Sequence, residues 1–153
     1  MNIDFVILWV DGADPAWQCE KRKYQPDQTT ENNSVNRYRD WKLLPYWFRA
    51  VERYAPFVNR IHFVTWGHTP AFLNKNAPKL HIVRHDEFIP KEYLPTFSSH
   101  AIEMNIHRIP GLSDHFVYFN DDMFMLRPFQ PDSFFIDGLP CTYGGEIPLQ
   151  LTG

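Results

Sequence analysis

The chain has 153 residues, of which 44% are hydrophobic and 16% aromatic, and its formal net charge at pH 7 is −3. This length suits a single domain with a hydrophobic core, and the slightly negative charge argues against a nucleic-acid-binding protein. No apolar run approaches the roughly 20 residues that cross a bilayer, and no basic N-terminal signal segment is present. The two cysteines, Cys19 and Cys141, lie far apart without metal-ligand spacing. We therefore expect one cytoplasmic domain, residues 1–153, without disulfides.

The first predicted element is a central β-strand over residues 3–10, an almost unbroken run of apolar and β-branched side chains. It ends at a sharp loop, because Gly12 permits a positive φ and Pro15 cannot rejoin a strand ladder. Asp11 and Asp14 in this loop, with the indole of Trp17 just after it, could hold a ribose and a base. The same residues equally suit a tight turn that needs no ligand.

A polar segment, residues 18–36, follows and offers few side chains for burial. A loop of this length in a compact domain is usually functional or mobile, and we interpret it as a mobile lid or acceptor loop. An insertion without consequence is an equal alternative. Arg37 and Arg39 then precede a predicted helix N-terminus, where anions are favoured. Their guanidinium groups could hold phosphate oxygens, although solvated surface arginines are common.

The next predicted element is an amphipathic helix with Asp40 as its N-cap. Pro45 argues against a start at Trp41 and favours a regular helix from about Leu44. Its apolar stripe consists of Trp41, Leu44, Trp47, Phe48, Val51 and Tyr54. Two more buried strands are predicted at residues 61–65 and 80–83, with a short helix at 70–73 between them. Strands that alternate with helices predict an α/β fold with a mostly parallel sheet flanked by helices.

A further helix is predicted to begin at Ser98 or Ser99 and to end before Pro110. Its buried stripe consists of Ile102, Ile106 and Ile109. Its other face carries His100, Glu103 and His107 at spacings of three and four, so that the three side chains would project together. Such a face could bind a metal or transfer protons, or it could be an ordinary exposed face. The spacing differs from that of zinc proteases.

The last predicted strand begins at Phe116, is apolar on both faces, and runs into Asn120, Asp121 and Asp122. A strand of this type belongs in a sheet covered on both sides, and its carboxyl end is where open α/β sheets bind ligands. Adjacent carboxylates repel each other unless a cation lies between them. We therefore predict that Asp121 and Asp122 bind a hard divalent cation that also contacts nucleotide phosphates. A tight turn with capping carboxylates is the alternative.

Several stretches in the same order resemble the Stealth family, whose members are sugar-1-phosphate transferases of bacterial capsule synthesis related to the animal GlcNAc-1-phosphotransferase. Residues 4–17 resemble the first conserved region of that family. The stretches that resemble its second region are 37–41, 51–56, 61–65, 94–103, 107–112 and 116–123. The third and fourth regions have no counterpart here, so the resemblance implies that this chain lacks the C-terminal part of the full transferase.

The resemblance implies a glycosyltransferase A-like fold that transfers hexose 1-phosphate, with GlcNAc 1-phosphate expected, from a UDP-hexose to a saccharide hydroxyl and releases UMP. In that reading Asp121 and Asp122 hold Mg²⁺ or Mn²⁺. The implied uridine pocket is formed by Asp11, Gly12, Asp14 and Trp17. Arg37 and Arg39 would bind phosphate, and Glu103, His107 and Arg39 would be catalytic. Peripheral association with membrane-bound capsule machinery is also implied.

Two alternatives stay open at the level of sequence. A conventional metal-dependent glycosyltransferase would use the same fold, metal and UDP-sugar but attack the anomeric carbon. A truncated module would bind the nucleotide sugar without catalysing transfer.

Overall fold

The protein is described here by a computed structural model that covers residues 1–24 and 41–142. Its centre is a four-stranded parallel sheet with the strand order β3-β2-β1-β4. The strands are β1 (Ile3–Trp9), β2 (Ile61–Thr65), β3 (Leu80–Arg84) and β4 (His115–Phe119). The α-helices are α1 (Pro15–Tyr24), α2 (Leu44–Tyr54) and α3 (Ser99–Glu103). This architecture confirms the predicted α/β fold with a parallel sheet flanked by helices.

Both faces of the sheet are covered, which explains why every residue of β1 except Asp4 is apolar. Side chains of a strand alternate between the two faces, so the residues of β1 divide between two cores. On one face Phe5 and Ile7 pack with Trp47 and Val51 of α2. The core of the other face consists of Val6, Val64, Val83, Phe88, Ile89, Ile102, Ile106 and Ile109. The burial predicted for Ile102, Ile106 and Ile109 is therefore confirmed, although Ile106 and Ile109 lie beyond α3, which ends at Glu103.

Strand β4 lies at an edge of this sheet, with β1 as its strand neighbour in the part of the chain that the structure describes. The sequence predicts that it belongs in a sheet covered on both sides, because its side chains are apolar on both faces. An apolar pattern of this kind indicates that both faces of the strand are buried. It does not indicate that the strand has a hydrogen-bonded neighbour on each side. Val117 packs on one core and Phe116 and Tyr118 on the other, which accounts for the apolar run.

Helix α1 replaces the first part of the loop predicted at 18–36. The carboxylate of Asp14 accepts a hydrogen bond from the backbone N–H of Trp17 at 2.8 Å and caps the helix, and Pro15 suits its first turn. The prediction of a loop was wrong for 18–24 because the helix buries just Trp17 and so lacks an apolar stripe. Residues 25–36 and the two arginines, Arg37 and Arg39, lie outside the described residues.

Three smaller predictions also differ from the structure. Helix α2 begins at Leu44 as predicted, but its N-cap position is Leu43 and not Asp40. The predicted helix at 70–73 is a single turn, closed by the Leu73 N–H and the Pro70 carbonyl at 3.1 Å. Gly138 and Pro140 predict a loop in the last stretch of the chain, but a hairpin with a two-residue turn joins β5 (Phe135–Ile136) to β6 (Leu139–Pro140).

A buried polar network connects three strands near their amino ends and was not predicted. The side chain of Asp4, fully buried in β1, accepts hydrogen bonds from Asn59 Nδ2 at 2.7 Å, the Ser113 N–H at 2.8 Å and His62 Nε2 at 3.1 Å. Because Nε2 of His62 donates, its Nδ1 accepts from Nδ1 of His81 at 3.0 Å. Burial raises the pKa of Asp4, but these hydrogen bonds outweigh it and hold the pKa below its ordinary value.

Candidate functional site

A cleft of about 650 Å³ opens at the carboxyl edge of the sheet. Trp9 and Val10 at the end of β1 form part of its wall, and Trp17 of α1 forms another part. The residues after β4 also line it: Asn120, Asp121, Asp122 and Phe124. Its position agrees with the general rule that open α/β sheets bind ligands outside the carboxyl ends of their strands. Its size and aromatic lining suit a small organic ligand.

Asp121 and Asp122 lie in the turn that leaves β4, closed by the Met123 N–H and the Asn120 carbonyl at 3.2 Å. Both side chains are exposed and line the cleft, as predicted. Within residues 1–24 and 41–142, no three His, Cys, Asp or Glu side chains converge as a complete metal site. Mg²⁺ commonly takes one or two carboxylates together with substrate phosphates and water. The hard oxygens of this pair therefore fit a cation shared with a phosphorylated ligand.

Glu103 reaches the same end of the cleft through Tyr118. The Tyr118 hydroxyl lies 3.1 Å from Oε1 of Glu103 and 2.6 Å from Oδ1 of Asn120. Burial, with the neighbouring carboxylates of Glu103, Asp121 and Asp122, raises the pKa of Tyr118 above its ordinary value. The hydroxyl therefore stays protonated and connects the last residue of α3 to the carboxylate turn.

His107 is not part of this arrangement. Helix α3 ends at Glu103, and His107 lies in a separate 3₁₀ turn, Ile106–Arg108, where it is exposed. The shared helical face predicted for His100, Glu103 and His107 is therefore wrong, because a spacing of four keeps two side chains aligned only while the helix continues. Neither histidine lines the cleft.

The loop between β1 and α1 lies beside the cleft. Oδ1 of Asp11 accepts from the Ala13 N–H at 2.9 Å, and the Gly12 carbonyl accepts from Nε2 of Gln18 at 2.8 Å. With Asp14 capping α1, the polar groups of the loop are largely occupied in shaping it. Trp17 lines the cleft as predicted, whereas Asp11, Gly12 and Asp14 do not.

Two histidines that the sequence reading had not selected stand at the carboxyl ends of β2 and β3. His68 is hydrogen-bonded to the backbone of Asp11, and His85 lines both the cleft and a second cavity of about 560 Å³ beside it. Their place in the sequence, just after a strand, could have identified them. Each histidine follows a buried strand within three residues, as Asp121 and Asp122 do.

His85 is 9% exposed, and its Nδ1 is buried without a hydrogen-bond partner. Burial, opposed in part by the carboxylate of Asp86, lowers the pKa of His85 from 6.5 to about 4. As the pH falls, the imidazole of His85 is therefore protonated in the unfolded chain before it is protonated in the folded state. This difference lowers the free energy of unfolding.

We expect His85→Leu to remove one pH-dependent component of stability. In the wild type, the difference in protonation of His85 should lower the free energy of unfolding by about 3 kcal/mol as the pH falls from 6.5 to 4. Urea unfolding at intervals of half a pH unit measures it. Val83→Ala, which removes buried atoms from the strand that precedes His85 without removing a titratable group, is the control and should keep the wild-type slope over this range. Parallel curves for wild type and His85→Leu would show that His85 does not titrate as described.

Two family models together match most of the chain. A family model described as Stealth protein CR1, conserved region 1, matches residues 1–27, and one described as Stealth protein CR2, conserved region 2, matches residues 37–141. The two matches lie where the sequence resemblance placed the first and second regions.

Curated relatives carry related names. The chain is 54% identical over 143 residues to the receptor polysaccharide phosphotransferase WefC of Streptococcus oralis, a match that covers 91% of this chain and 43% of the relative. It is 55% identical over 141 residues to the capsular polysaccharide phosphotransferase CpsJ of Streptococcus thermophilus, covering 90% of this chain and 59% of the relative. For WcwK of Streptococcus pneumoniae, a capsular polysaccharide phosphotransferase, identity is 53% over 140 residues, with 91% and 43% covered. The chain thus spans about half the length of these relatives.

Proposed function

The chain belongs to the Stealth protein family, and from that premise we propose that it takes part in the transfer of hexose 1-phosphate from a UDP-hexose to a saccharide hydroxyl, with release of UMP. GlcNAc 1-phosphate is the proposed group and a capsular or exopolysaccharide chain the proposed acceptor. The names of the relatives, which are polysaccharide phosphotransferases, support this class of reaction. A cytoplasmic location, with peripheral attachment to capsule machinery, belongs to the same proposal.

The observation that carries the proposal is the carboxylate pair at the carboxyl edge of a parallel sheet, in a cleft of about 650 Å³. Asp121 and Asp122 would hold Mg²⁺ or Mn²⁺ together with the diphosphate, in a glycosyltransferase A-like arrangement. When bound, the cation supplies neutralisation of the charge on the diphosphate and on the departing UMP. Trp17 would border the nucleoside, and Arg37 and Arg39 would bind phosphate oxygens.

The proposed reaction balances without a further reactant. The acceptor hydroxyl oxygen forms a bond to the β-phosphorus, the bond from that phosphorus to the bridging oxygen breaks, and UMP leaves with the bond electrons. The acceptor hydroxyl loses its proton, and Glu103, which contacts Tyr118 at the cleft, would accept or orient that proton. His107, exposed and outside the cleft, is a weaker candidate for this role.

Product analysis tests the proposal directly. The protein is incubated with UDP-GlcNAc, Mg²⁺ and a capsular oligosaccharide, and the nucleotide products are separated. UMP formed in step with a phosphodiester product is the expected result. Release of UDP instead would identify a conventional glycosyltransferase.

A second candidate is a nucleotide-sugar-binding module that does not catalyse transfer alone, because the chain spans about half the length of the relatives. Cation-dependent binding of UDP-GlcNAc without turnover would support this reading. Restored turnover on addition of the remaining regions of a relative would return the catalytic role to the complete protein.

We expect Tyr118→Phe to lower turnover about tenfold with little change in KM, since a hydrogen bond to a charged group contributes about 1.5–3 kcal/mol. The variant removes the hydroxyl that lies 3.1 Å from Glu103 while keeping the ring in the core. Initial rates of UMP release measure the effect. His107→Gln is the control, because His107 is exposed in the turn Ile106–Arg108 and does not line the cleft. The turnover of this variant should stay within twofold of wild type. A tenfold loss in His107→Gln with full activity in Tyr118→Phe would reverse the two assignments.

A further inference from the structure

His68 connects two loops that are 57 residues apart in the sequence. Its Nε2 accepts a hydrogen bond from the backbone N–H of Asp11 at 2.8 Å. Because a backbone N–H can only donate, Nε2 must be unprotonated, and a neutral imidazole then carries its proton on Nδ1. Nδ1 faces Oδ2 of Asp14 at 3.5 Å, beyond ordinary hydrogen-bond length but within the range of charge attraction. One neutral side chain thus contacts both carboxylate-bearing residues of the β1–α1 loop.

His68 is itself held firmly, which lets it act as an anchor. Oγ1 of the buried Thr65, the last residue of β2, donates to the His68 carbonyl at 2.6 Å. The imidazole packs edge-to-face against Trp9 at 5.3 Å and in a tilted arrangement against Trp66 at 5.8 Å. Its position is therefore fixed by the core strand β2 and by two aromatic rings, and not by the loop that it contacts.

The loop that His68 holds determines one wall of the cleft. Val10 precedes the loop and Trp17 follows it, and both residues line the cleft. Asp14 also caps α1, so a displaced Asp14 would shift the helix that carries Trp17. His68 does not line the cleft and is not among its ligand-contacting residues.

We infer that His68 is a positioning residue, whose neutral imidazole fixes the β1–α1 loop and thereby the Val10–Trp17 wall of the cleft for nucleotide binding. This inference rests on the proposed function for the identity of the ligand. It requires the imidazole to accept a hydrogen bond at Nε2, which a protonated imidazolium cannot do. Nucleotide affinity should therefore depend on the protonation state of a side chain that never touches the nucleotide.

The titratable and charged groups around His68 affect its pKa. The carboxylates of Asp11 and Asp14 face it from the loop, and His85, Arg84 and Asp86 lie at the neighbouring end of β3. Burial lowers the pKa of His68, against the raising effect of the carboxylates of Asp14 and Asp11. The neutral form thus predominates at neutral pH, and the loop contact should be lost at a pH below the ordinary histidine value of about 6.5.

Two substitutions separate the hydrogen bond from the packing. His68→Phe keeps an aromatic ring against Trp9 and Trp66 but removes the acceptor. His68→Gln provides an acceptor oxygen at about the position of Nε2 and does not titrate. We expect the Kd for UMP, measured by calorimetry with Mg²⁺ at pH 7.5, to rise about tenfold in His68→Phe and to stay within twofold of wild type in His68→Gln.

The pH profile of UMP affinity is a readout that a merely structural role would not move, and amide exchange separately reports whether the Asp11 contact is made. As the pH falls from 7.5 to 5, wild type should lose UMP affinity relative to His68→Gln, and this ratio cancels the titration of UMP itself. The Asp11 amide proton should exchange with solvent about tenfold faster in His68→Phe than in His68→Gln. Equal UMP affinities and equal exchange rates in the two variants would overturn the inference.

The remaining outcomes distinguish this inference from the proposed function. Faster Asp11 exchange in His68→Phe with unchanged UMP affinity would show that His68 holds the loop without positioning the ligand, and would overturn the inference. If wild type fails to bind UMP at all, the proposed function is wrong, and the role of His68 as the anchor of the loop is then decided by the exchange measurement alone.

Discussion

Asp122→Asn should abolish Mg²⁺-dependent binding of UDP-GlcNAc while leaving the folded state as stable as wild type or more so. Asp122 is exposed and lines the cleft beside Asp121, so the variant would replace one of the two proposed carboxylate ligands by a neutral amide without opening the core. Since only two carboxylates are available for the cation in this turn, we expect the affinity to fall by at least about 100-fold. The substitution also removes repulsion between adjacent carboxylates, which can only favour folding.

Calorimetry with UDP-GlcNAc, with and without Mg²⁺, measures this effect, and thermal unfolding measures stability. Asp114→Asn is the matched control, because Asp114 is exposed just before the opposite end of the same strand, β4. It should bind UDP-GlcNAc as wild type does. Binding that is independent of Mg²⁺ in wild type, or an Asp122→Asn protein that unfolds, would show that the carboxylate pair is a structural turn.

Asp4→Asn should lower the free energy of unfolding by about 3–5 kcal/mol, the usual cost of breaking a buried, hydrogen-bonded charge network. The two oxygens of Asp4 accept from Asn59, Ser113 and His62, so every neighbour is a donor. An asparagine would place its NH₂ group against at least one of these donors. Those two donors would remain without a hydrogen-bond acceptor inside the protein, because the side chain at position 4 is fully buried.

Urea unfolding at pH 7 measures the effect. Asp86→Asn is the control: that carboxylate is exposed and paired with Arg84, and its removal should change stability little. The contribution of Asp4 should persist above its unfolded pKa and disappear as the pH falls through the lowered folded pKa, since that pKa lies below the ordinary value. An Asp4→Asn protein of wild-type stability would show that the network does not support the fold.

The two substitutions should act at opposite ends of the sheet and on different properties. Asp4 lies near the amino end of β1, whereas Asp122 follows the carboxyl end of β4. At temperatures where Asp4→Asn remains folded, its Kd for UDP-GlcNAc should equal that of wild type. A double variant should show the two effects independently, because well-separated sites are close to additive.

Within the residues that the structure describes, no helix has the length and apolar composition needed to span a membrane. The cysteines Cys19 and Cys141 are free and exposed in the structure.

Of the predicted site residues that the structure describes, Trp17, Asp121 and Asp122 line the cleft, and Glu103 contacts Tyr118, which lines it. The functional role of each of them stays a prediction; Asp122→Asn tests the carboxylate pair, and Tyr118→Phe tests the contact with Glu103.

The sequence alone determined the strands, the parallel sheet, the position of the carboxylate turn and the family. These features depend on runs of neighbouring residues: apolar β-branched segments form buried strands, and parallel strands bring their carboxyl ends to one edge. The turn at Asp121 and Asp122 follows such a strand directly, so its place at that edge could be predicted without knowing the packing.

Only the tertiary structure decided the polar connections, the formation of α1 and the end of α3. The Asp4 network joins residues up to 109 positions apart, and His68 meets Asp11 across 57 positions, so no local pattern reveals either contact. His107 left the predicted site because α3 stops at Glu103, and α1 formed on a single buried tryptophan and a capping carboxylate. Local propensity specifies which segments can be buried, whereas hydrogen bonds between distant residues depend on which segments the fold brings together.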